Sequence, residues 1–582
     1  LNVRSGKGTN TAVLGTVRSG DIVTVLDDSD ASWVQIRTAG GLTGYVAREY
    51  LTLEQQENGG TKAQYAQVTA DILNVRSGAG TGFAKIGSIV YGELVEVLEE
   101  SGNGWVKIKT PAGLVGYAYG EYLEQVSENG VTRSVTIPAG KTYYAAQSSG
   151  RWISSDTSVV TASNGYITAV APGVATVTGA NGVTYTVTVT QGEAVRTAYA
   201  APNIAAVGQA VELVAVTDTT RDTVQFRITE SDGSQKIVDA YTYTTEECNG
   251  VVTRVWKATA VFGSAGKHSV TAYAGTNGVL EAQGFETDAY TVWSMDSTVA
   301  SYDTRRISDS MIDLIARWEG YSATVYPDQL AGGVPTIGYG QTFGTGVQFY
   351  NNLSKTEAWS LLVKSINAGS YTSEVNRFLQ SNGIRATQAQ FDALVSFSYN
   401  IGAGYWNSTE RMDLREIMLN AVVPPEIAQS SSLPATVTFA GARLYSAASR
   451  SASVLRALDT CVRLEVLQAN YDSQSKAGWY KVRLQDGTEG YVCAGYARFD
   501  KGVQVTHDLN YTDANAFGSE LLLWHHAGGN CYAGLVYRRM GEAKVFSYGD
   551  YQSATPGNYE YQRNTYGYDV PDCIRGKGWI KD

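Results

Sequence analysis

This 582-residue sequence has no long apolar run and no cluster of basic residues. A membrane-spanning helix needs about 18 or more consecutive apolar residues, so we predict that the chain does not span a membrane. The formal net charge is -11, from 56 acidic and 45 basic residues. Because binding to phosphates needs clustered Lys and Arg, the charge argues against nucleic acid as a partner.

Cysteine is scarce, and the five residues do not follow the C-x-x-C spacing of a structural zinc site. They are Cys248, Cys461, Cys493, Cys531 and Cys573. An oxidising compartment would allow two disulfides, one between Cys461 and Cys493 and one between Cys531 and Cys573. Free buried cysteines are the alternative, and the spacing does not decide between them.

Histidine is rarer still, with four residues in the chain. The adjacent His525 and His526 lie close to Cys531 in the sequence. Neighbouring histidines in a helix or a turn point in different directions, and no third ligand has a suitable spacing. We therefore predict neither a metal site nor a cofactor.

The residues that are abundant indicate a modular, mostly β protein. The chain has 62 glycines and only 11 prolines, which suits many short strands joined by tight turns. Hydrophobic residues make up 43% and charged residues 17%, so the chain is globular rather than disordered. Its length predicts about four to six domains.

Two segments repeat in register, "LNVRSGKGTNTAVLGTVRSGDIVTVL" from Leu1 and "LNVRSGAGTGFAKIGSIVYGELVEVL" from Leu73. Alternating stretches such as "WVKIK" between glycine turns predict a small barrel of short strands. A third, weaker copy begins near Thr436 and has "RLYS" in place of "NVRS". The sequence therefore contains three copies of one small β module.

These copies resemble the bacterial SH3-like domain, through "LNVRSG", a strand of the type "W.KI" and "GYV...YL". The resemblance implies binding to bacterial peptidoglycan, at its stem peptides or cross-bridges. We predict SH3-like domains at 1–52, 66–125 and 434–500. The first copy lacks the strand that precedes "LNVRSG" in the second, so we expect it to be N-terminally incomplete. We also expect any secretory leader to be absent from this sequence or already removed.

Two further β segments follow. Residues 131–190 contain "WISSDTSVVTASNGYITAVAPGVATVTG", which resembles the bacterial Ig-like domain. Residues 193–295 hold alternating runs such as "AVELVAV" and "TVQFRI", which predict a second Ig-like sandwich. Neither segment gathers ionisable residues in a pattern typical of a site, so we predict that both are spacers, with adhesion as the alternative.

A helix is predicted from about Ser308, where the period changes from 2 to 3.6. Its apolar residues recur at helical spacing, namely Met311, Leu314, Ile315 and Trp318. Ser310, three residues before Asp313, resembles a capping box and predicts the start of the helix, and Gly320 predicts its end.

Glu319 is the last residue of this helix, where the helix dipole disfavours an anion. That repulsion and partial burial both favour the protonated carboxyl that a general acid needs. Next, "ATVY" and "PTIGYG" predict a hairpin, and Asp328 projects from its loop opposite Glu319. Two facing carboxyl groups are the residues that cleave a glycosidic bond. The alternative is an exposed Glu and a turn Asp without a catalytic role.

The same stretch resembles the phage-type lysozyme (endolysin) family, through a helix, "EG", "Y.D", a glycine turn and "TIGYG". The resemblance implies that Glu319 donates a proton to the leaving oxygen, and that Asp328 and Thr336 position the attacking water, with inversion at the anomeric carbon. We place substrate contacts at Tyr326, Gln341, Asn400 and Arg539. The Asp328–Thr336 loop is about two residues longer than the common family spacing, and Gln341 replaces the usual histidine.

The resemblance resumes in "QAQFDALVSFSYNIGAGYWNST" and, after the third SH3-like copy, in "WHHAGGNCYAGLVYRRMGEAKVF". We therefore predict a lysozyme-like domain in two parts, 305–427 and 507–582, with the SH3-like module inserted between them. The predicted fold class is multidomain and mostly β, with SH3-like barrels and Ig-like sandwiches plus one α+β lysozyme-like domain. Such an insertion is tolerated when the termini of the module are close together.

Together these patterns predict a secreted or wall-associated, modular muramidase. Its substrate would be the β-1,4 bond between N-acetylmuramic acid and N-acetylglucosamine in peptidoglycan. The alternative is a wall-binding scaffold or adhesin whose lysozyme-like lobe does not cut. A third reading is an enzyme kept latent by its inserted module.

Overall fold

The computed structural model describes residues 1–552, with gaps at 19–20, 22, 39–40, 52–63, 102, 111–112, 127–130, 147–150, 180–181, 294, 296–304, 329–332, 408–412 and 528–529. The chain forms two compact units, Leu1–Val131 and Thr132–Asp582. Strands dominate, and the helices lie in one lysozyme-like region, which confirms the predicted fold class. The end of the predicted second lysozyme-like part, after residue 552, lies outside the described residues.

The first unit contains two sheets of the same design. The first has the order β2-β1-β5-β4-β3, from β1 (Asn2–Arg4), β2 (Val13–Thr16), β3 (Val23–Asp27), β4 (Trp33–Thr38) and β5 (Thr43–Ala47). The second has the order β12-β6-β9-β10-β11-β7-β8, from β6 (Gln64–Val68), β7 (Ile72–Arg76), β8 (Lys85–Val90), β9 (Leu94–Glu100), β10 (Trp105–Lys109), β11 (Val115–Tyr119) and β12 (Leu123–Val126). In both, a short 3-10 turn follows the last long strand, at Arg48–Tyr50 and Gly120–Tyr122.

The glycine of the repeated "GY" pair explains part of this design. A Cβ atom at Gly44 would lie 2.6 Å from the carbonyl oxygen of Arg4, and one at Gly116 would lie 2.8 Å from that of Arg76. Only glycine therefore lets the two strands approach so closely at this point.

The second unit begins with two sandwiches. The first is built from β13 (Val131–Pro138), β14 (Lys141–Tyr144), β15 (Ile153–Ser154), β16 (Val160–Ser163), β17 (Tyr166–Ala169), β18 (Gly173–Thr178) and β19 (Val183–Thr190). One of its sheets has the order β13-β19-β18-β15, and the other contains β16-β17-β14. Its Ig-like identity stays a prediction.

The second sandwich has sheets β20-β22-β26-β25 and β21-β29-β27-β23-β24, with β28 paired to β27. The strands are β20 (Thr197–Ala201), β21 (Ala205–Ala206), β22 (Ala210–Asp218), β23 (Thr223–Thr229), β24 (Gln235–Ala240), β25 (Thr242–Cys248), β26 (Val251–Val261), β27 (Gly266–Thr276), β28 (Val279–Leu280) and β29 (Phe285–Val292). Buried residues such as Phe226, Trp256 and Phe262 fill the space between the sheets.

The lobe that follows combines a small sheet with helices. Its first part contains α1 (Asp309–Glu319), β30 (Ser322–Asp328), β31 (Val334–Gly338), β32 (Gln341–Thr342), β33 (Gln348–Tyr350), α2 (Lys355–Ala368), α3 (Ser370–Ser381), α4 (Gln388–Ile401) and α5 (Asp413–Asn420). The inserted seven-stranded sheet contains β34 (Leu433–Val437), β35 (Ala442–Tyr445), β36 (Val454–Leu458), β37 (Arg463–Asp472), β38 (Ala477–Arg483), β39 (Glu489–Cys493) and β40 (Ala497–Phe499). The chain then returns to the lobe with α6 (Ala514–Leu522), β41 (His526–Ala527), β42 (Asn530–Cys531) and α7 (Ala533–Tyr548).

Helices from both sides of the insertion share one hydrophobic core. Phe391 of α4, Phe517 of α6 and Phe546 of α7 are all buried in it. The rings of Phe517 and Phe546 stack with their centroids 3.6 Å apart. The two sequence halves are therefore packed into one lobe.

Helix α1 ends at Gly320, as predicted, but its N-cap is Ser308 rather than Ser310. The hydroxyl of Ser308 accepts a hydrogen bond from the main-chain N–H of Met311. Ser308 also donates from its own N–H to the buried carboxylate of Asp392, at 2.9 Å. This tertiary contact fixes the start of the helix two residues earlier than the local pattern predicts.

The lobe contacts both sandwiches directly. Strand β33 pairs with β14, so that Thr142 faces Phe349, and thereby completes a sheet of the first sandwich. Arg196, which precedes β20, forms a buried ion pair of 2.6 Å with Glu357 of α2. The sandwiches are packed against the lobe, which the interpretation as spacers did not predict.

Cys248, Cys461 and Cys493 are free thiols, so the Cys461–Cys493 disulfide that the sequence left open is absent. Cys461 is exposed, whereas Cys493 is buried against the helical core. Cys531 is disulfide-bonded, and Cys573, its predicted partner, lies outside the described residues. No helix in the described part of the chain is long and apolar enough to cross a membrane.

Candidate active site

Glu319 occupies the last position of α1, and its side chain is one quarter exposed. Gly320 ends the helix with a φ of 73°, a conformation that favours glycine. The carboxylate accepts a hydrogen bond from Nη1 of Arg538 at 2.5 Å. Arg538 belongs to α7, so the two partners lie on opposite sides of the inserted sheet in sequence.

Arg538 is held by several groups besides Glu319. Its Nε lies 3.3 Å from the carboxylate of Glu542, and its Nη2 donates to the carbonyl of Ser396 at 3.4 Å. Burial opposes the charge of Arg538, but the carboxylates of Glu319 and Glu542 outweigh it and raise its pKa. The guanidinium is therefore a buried cation that is held in contact with Glu319.

This cation changes the electrostatics that the sequence predicts for Glu319. The negative end of the helix dipole lies at Glu319, whereas the buried guanidinium of Arg538 places a positive charge 2.5 Å from its carboxyl group. Sequence reasoning missed Arg538, although it lies in the quoted "GLVYRR" stretch. That stretch contains two arginines, and nothing in the sequence says which one faces the helix end.

The hairpin of β30 and β31 lies beside Glu319. Its register pairs Tyr326 with Thr336 and Asp328 with Val334, so Asp328 ends a strand rather than projecting from the loop. The following turn brings Gly340, with a φ of 86°, so close that an added Cβ would lie 3.3 Å from Oε2 of Glu319. Glycine at this position lets the hairpin approach the carboxyl group.

Tyr326 lies in β30, two residues before Asp328. Its side chain is 38% exposed, and the burial of the remainder raises the pKa of its phenol. The charges of Asp328 and Glu319 raise that pKa further.

Thr336 and Gln341 are buried within the hairpin. The Thr336 hydroxyl donates to the carbonyl of Val334 at 3.0 Å. Gln341 closes its own turn, because its amide accepts from the N–H of Tyr339 and donates to the carbonyl of Tyr339, both at 3.0 Å. Gln341 also donates to the hydroxyl of Tyr399 at 3.3 Å. In this structure both residues order the hairpin that carries the exposed Tyr326.

Arg539 and Asn400 form a neighbouring group. Arg539 is fully buried and its Nη1 lies 2.5 Å from the carboxylate of Glu542. Its Nη2 donates to Oδ1 of Asn400, which is exposed. Burial lowers the pKa of Arg539 to about 10. Arg539 thus lies inside the lobe and pairs with Glu542, whereas the preceding residue, Arg538, contacts Glu319.

His525, His526 and Cys531 come together, although the sequence predicts that the histidines diverge. The two ring centroids are 3.9 Å apart, and ligand atoms of all three residues lie within 4.8 Å of one another. His525 donates from Nδ1 to the carbonyl of Leu522 at 2.6 Å, and its Nε2 is buried. The sulfur of Cys531 is disulfide-bonded and is therefore not a thiolate ligand.

Residues 316–426 match the family model described as Phage lysozyme. Residues 1–52, 71–124 and 440–497 match the one described as Bacterial SH3 domain. The chain therefore contains a phage lysozyme domain and three bacterial SH3 domains.

Two curated relatives share parts of the chain. The "Endolysin" of Bacillus phage PZA is 33% identical over 108 residues, which cover 19% of this chain and 40% of that protein. A Bacillus subtilis (strain 168) protein named "Putative N-acetylmuramoyl-L-alanine amidase YrvJ" is 31% identical over 125 residues, covering 21% of this chain and 24% of that protein. The chain thus spans well under half the length of these relatives.

Among solved structures, an endolysin from Escherichia coli O157:H7 phage FAHEc1 matches with 17% sequence identity. The match covers 43% of this chain and 98% of that chain, with a TM-score of 0.21.

Proposed function

We propose that this protein is a peptidoglycan hydrolase of the muramidase type. It would cleave the β-1,4 bond between N-acetylmuramic acid and N-acetylglucosamine in the glycan strand. The observation that carries the proposal is the position of Glu319, at a helix end, beside a hairpin turn and in contact with a buried arginine. The names of the endolysin and amidase relatives agree with a wall substrate.

In the proposed mechanism Glu319 donates its proton to the glycosidic oxygen of the leaving sugar. Arg538 then stabilises the carboxylate that this transfer leaves behind, at 2.5 Å. Asp328 and Thr336 orient the water that attacks the opposite face of the sugar ring, and the Asp328 carboxylate accepts the proton that this water loses. The product would have inverted configuration, which requires the two carboxyl groups to be about 6.5–9.5 Å apart.

The SH3 domains would hold the enzyme on its polymer. Linking a wall-binding domain to a catalytic lobe raises the effective concentration of the lobe at the wall. The same reasoning places the protein outside the cell or in the wall, where its substrate lies.

Muropeptide release from purified peptidoglycan tests this function. The parent protein should release fragments whose reducing ends, after borohydride reduction, are muramic acid by mass spectrometry. Glu319→Gln keeps the size and hydrogen bonding of the side chain but removes its proton, so it should release at least about a hundredfold less.

Glu426→Gln is the matched control, because Glu426 is an exposed carboxylate outside the hairpin and α7. It should release fragments like the parent. If neither the parent nor the control releases fragments while both still sediment with sacculi, the protein is a wall-binding scaffold. Reduced glucosamine ends, or cleavage at the stem peptide, would also contradict a muramidase.

A further inference from the structure

The three SH3 domains share one surface, here called the tryptophan face. It consists of the tryptophan that begins the penultimate long strand, the residue paired with it and the 3-10 turn that follows. The corresponding sets are Trp33, Ala47 and Arg48–Tyr50; Trp105, Tyr119 and Gly120–Tyr122; and Trp479, Cys493 and Ala494–Tyr496. The contacts of this face differ between the copies, and the differences indicate what it binds.

In the inserted domain the tryptophan face is covered by the lobe. Trp479 and Cys493 are buried in the helical core. Arg450 lies across the face, with its guanidinium carbon 5.6 Å from the ring centre of Tyr496, and it pairs with Asp513 of the lobe at 2.8 Å. A cation therefore occupies the face of this copy.

In the first domain the face also holds a cation from the same chain. Nε of Arg48, in the 3-10 turn, donates to the carbonyl of Asp30 at 3.2 Å. Nη2 of Arg48 donates to the carbonyl of Asp28 and lies 3.9 Å from the carboxylate of Asp28. Arg48 thus fills the space between the turn and the acidic loop.

The second domain has an acidic residue at the position of Asp28 but no arginine at the position of Arg48. In the aligned sequences Gly120 stands where the first domain has Arg48, and Glu100 stands where it has Asp28. Between them is a cleft of about 440 Å³. Its lining includes Glu100, Trp105, Tyr119, Gly120, Glu121 and Gln125.

We propose that this cleft of the second SH3 domain binds a primary alkylammonium group carried by a short peptide. The ammonium would take the place of the Arg48 guanidinium, with Glu100 and Glu121 as its anionic partners. The rings of Trp105 and Tyr119, whose centroids are 5.6 Å apart, would contact the apolar stem and the charge of the side chain. Assigning the peptide to peptidoglycan rests on the proposed function, whereas recognition of the amine does not.

Two details support an ammonium ligand. Gln125 donates from Nε2 to Oε1 of Glu100 at 2.9 Å, which orients the carboxylate at the cleft. The third domain has Gly495 where the first and second have Glu49 and Glu121, and an added Cβ at Gly495 would lie 3.2 Å from Ala516 of the lobe. The glutamate is thus absent only in the copy whose face is covered by the lobe.

The test measures binding of two fluorescent dipeptides to the full chain. One is acetyl-alanyl-lysine with a free side-chain amine, and the other is the same peptide with that amine acetylated. The parent should bind the free amine at least about tenfold more tightly, because charge-assisted hydrogen bonds are lost on acetylation. Raising the salt concentration should weaken this difference.

Two variants change the cleft in different ways. Gly120→Arg places the arginine of the first domain in the second, and Glu100→Gln with Glu121→Gln removes both charges without changing the backbone. Each variant should weaken binding of the free amine about tenfold. In Gly120→Arg the added Cβ atom would lie 2.9 Å from the side chain of Val106, so this variant alone could disturb the fold. The double variant adds no Cβ atom there and tests the charges separately. Glu124→Gln, which removes an exposed charge beside the cleft, should bind like the parent.

Equal affinity of the parent for both peptides would overturn the proposal, as would unchanged affinity in the double variant. The experiment does not depend on Glu319, so Glu319→Gln should bind the peptide like the parent. A chain that binds the amine but releases no muropeptides would keep this inference and refute the muramidase. The reverse result would refute the amine site alone.

Discussion

At the scale of single residues, Asp392 shows how the start of the catalytic helix is fixed. Its fully buried carboxylate accepts hydrogen bonds from Ser308, the N-cap of α1, and from Gln388 and Tyr551, the latter two at 2.7 Å. Burial raises the pKa of Asp392 to about 6, although these hydrogen bonds act in the opposite direction. The group that holds α1 is therefore sensitive to mildly acidic pH.

This pKa predicts a pH dependence of stability. Between the unfolded value of 3.8 and the folded value of about 6, the folded protein binds more protons than the unfolded chain. The contribution of Asp392 to the free energy of unfolding is therefore fully present below about pH 4 and lost as the pH rises through about 6. Asp392→Asn should reduce this decline by about 3 kcal/mol, measured by denaturant unfolding between about pH 4 and pH 7.

Asp459→Asn is the control for that experiment, because Asp459 is an exposed aspartate of the inserted domain. It should keep the pH profile of the parent. A parallel profile for parent and Asp392→Asn would show that Asp392 does not titrate in this range.

The residue patterns predicted part of the site. Glu319 could be placed at a helix end because the apolar period and Gly320 are both local signals. The N-cap was wrong because the choice between Ser308 and Ser310 depends on Asp392, which is distant in sequence. Arg538 was missed for the same reason, since its partner lies on the other side of an inserted domain. The roles of Glu319, Asp328 and Thr336 stay predictions.

At the scale of elements, the second sandwich is joined to the lobe by buried polar contacts. The Arg196–Glu357 pair is largely buried on both sides, and the guanidinium carbon of Arg196 lies 3.9 Å from the ring centre of Tyr350 in β33. Thr197 and Ser360 share a hydrogen bond of 2.8 Å beside it. Arg196 thus contacts both α2 and the strand that completes the first sandwich.

Arg196→Met should destabilise this junction by about 3 kcal/mol, because it leaves the Glu357 carboxylate buried without its cation. Calorimetry should then show the sandwich unfolding at a lower temperature than the lobe. Lys257→Met removes a cation from an exposed pair with Glu212, at 2.8 Å, and should cost less than about 1 kcal/mol. Equal effects of the two substitutions would argue against a structural role for the junction.

Alternation and turn glycines predicted the strands themselves, but not which elements meet. The pairing of β33 with β14 joins segments that are about two hundred residues apart in the sequence. The stretch Gln348–Tyr350 is too short to show a pattern from which its partner strand could be predicted. Contacts of this kind depend on the docking of whole domains. The periodicity of a single sequence describes each domain separately, so it cannot predict contacts between domains.

At the scale of the whole molecule, the division into two compact units predicts separable roles. A variant that begins at Thr132 lacks both N-terminal SH3 domains and consists of the second unit alone. It should hydrolyse soluble glycan at the parental rate and unfold at the parental midpoint. Its sedimentation with sacculi should fall at least several-fold, because two wall-binding domains are removed. A lower midpoint would show that the first unit also stabilises the lobe.

The inserted domain offers a position at which the chain of this lobe could be cleaved into two fragments. Because α1–α5 and α6–α7 share a core, the lobe is in effect a complex of two chain segments tethered by the module. The exposed turn between β38 and β39 lies between paired strands of that module. A single cut there would produce two polypeptides, and each would carry complementary parts of both cores. The lobe is thus suited to fragment complementation, in which neither piece is active alone and their association restores the site.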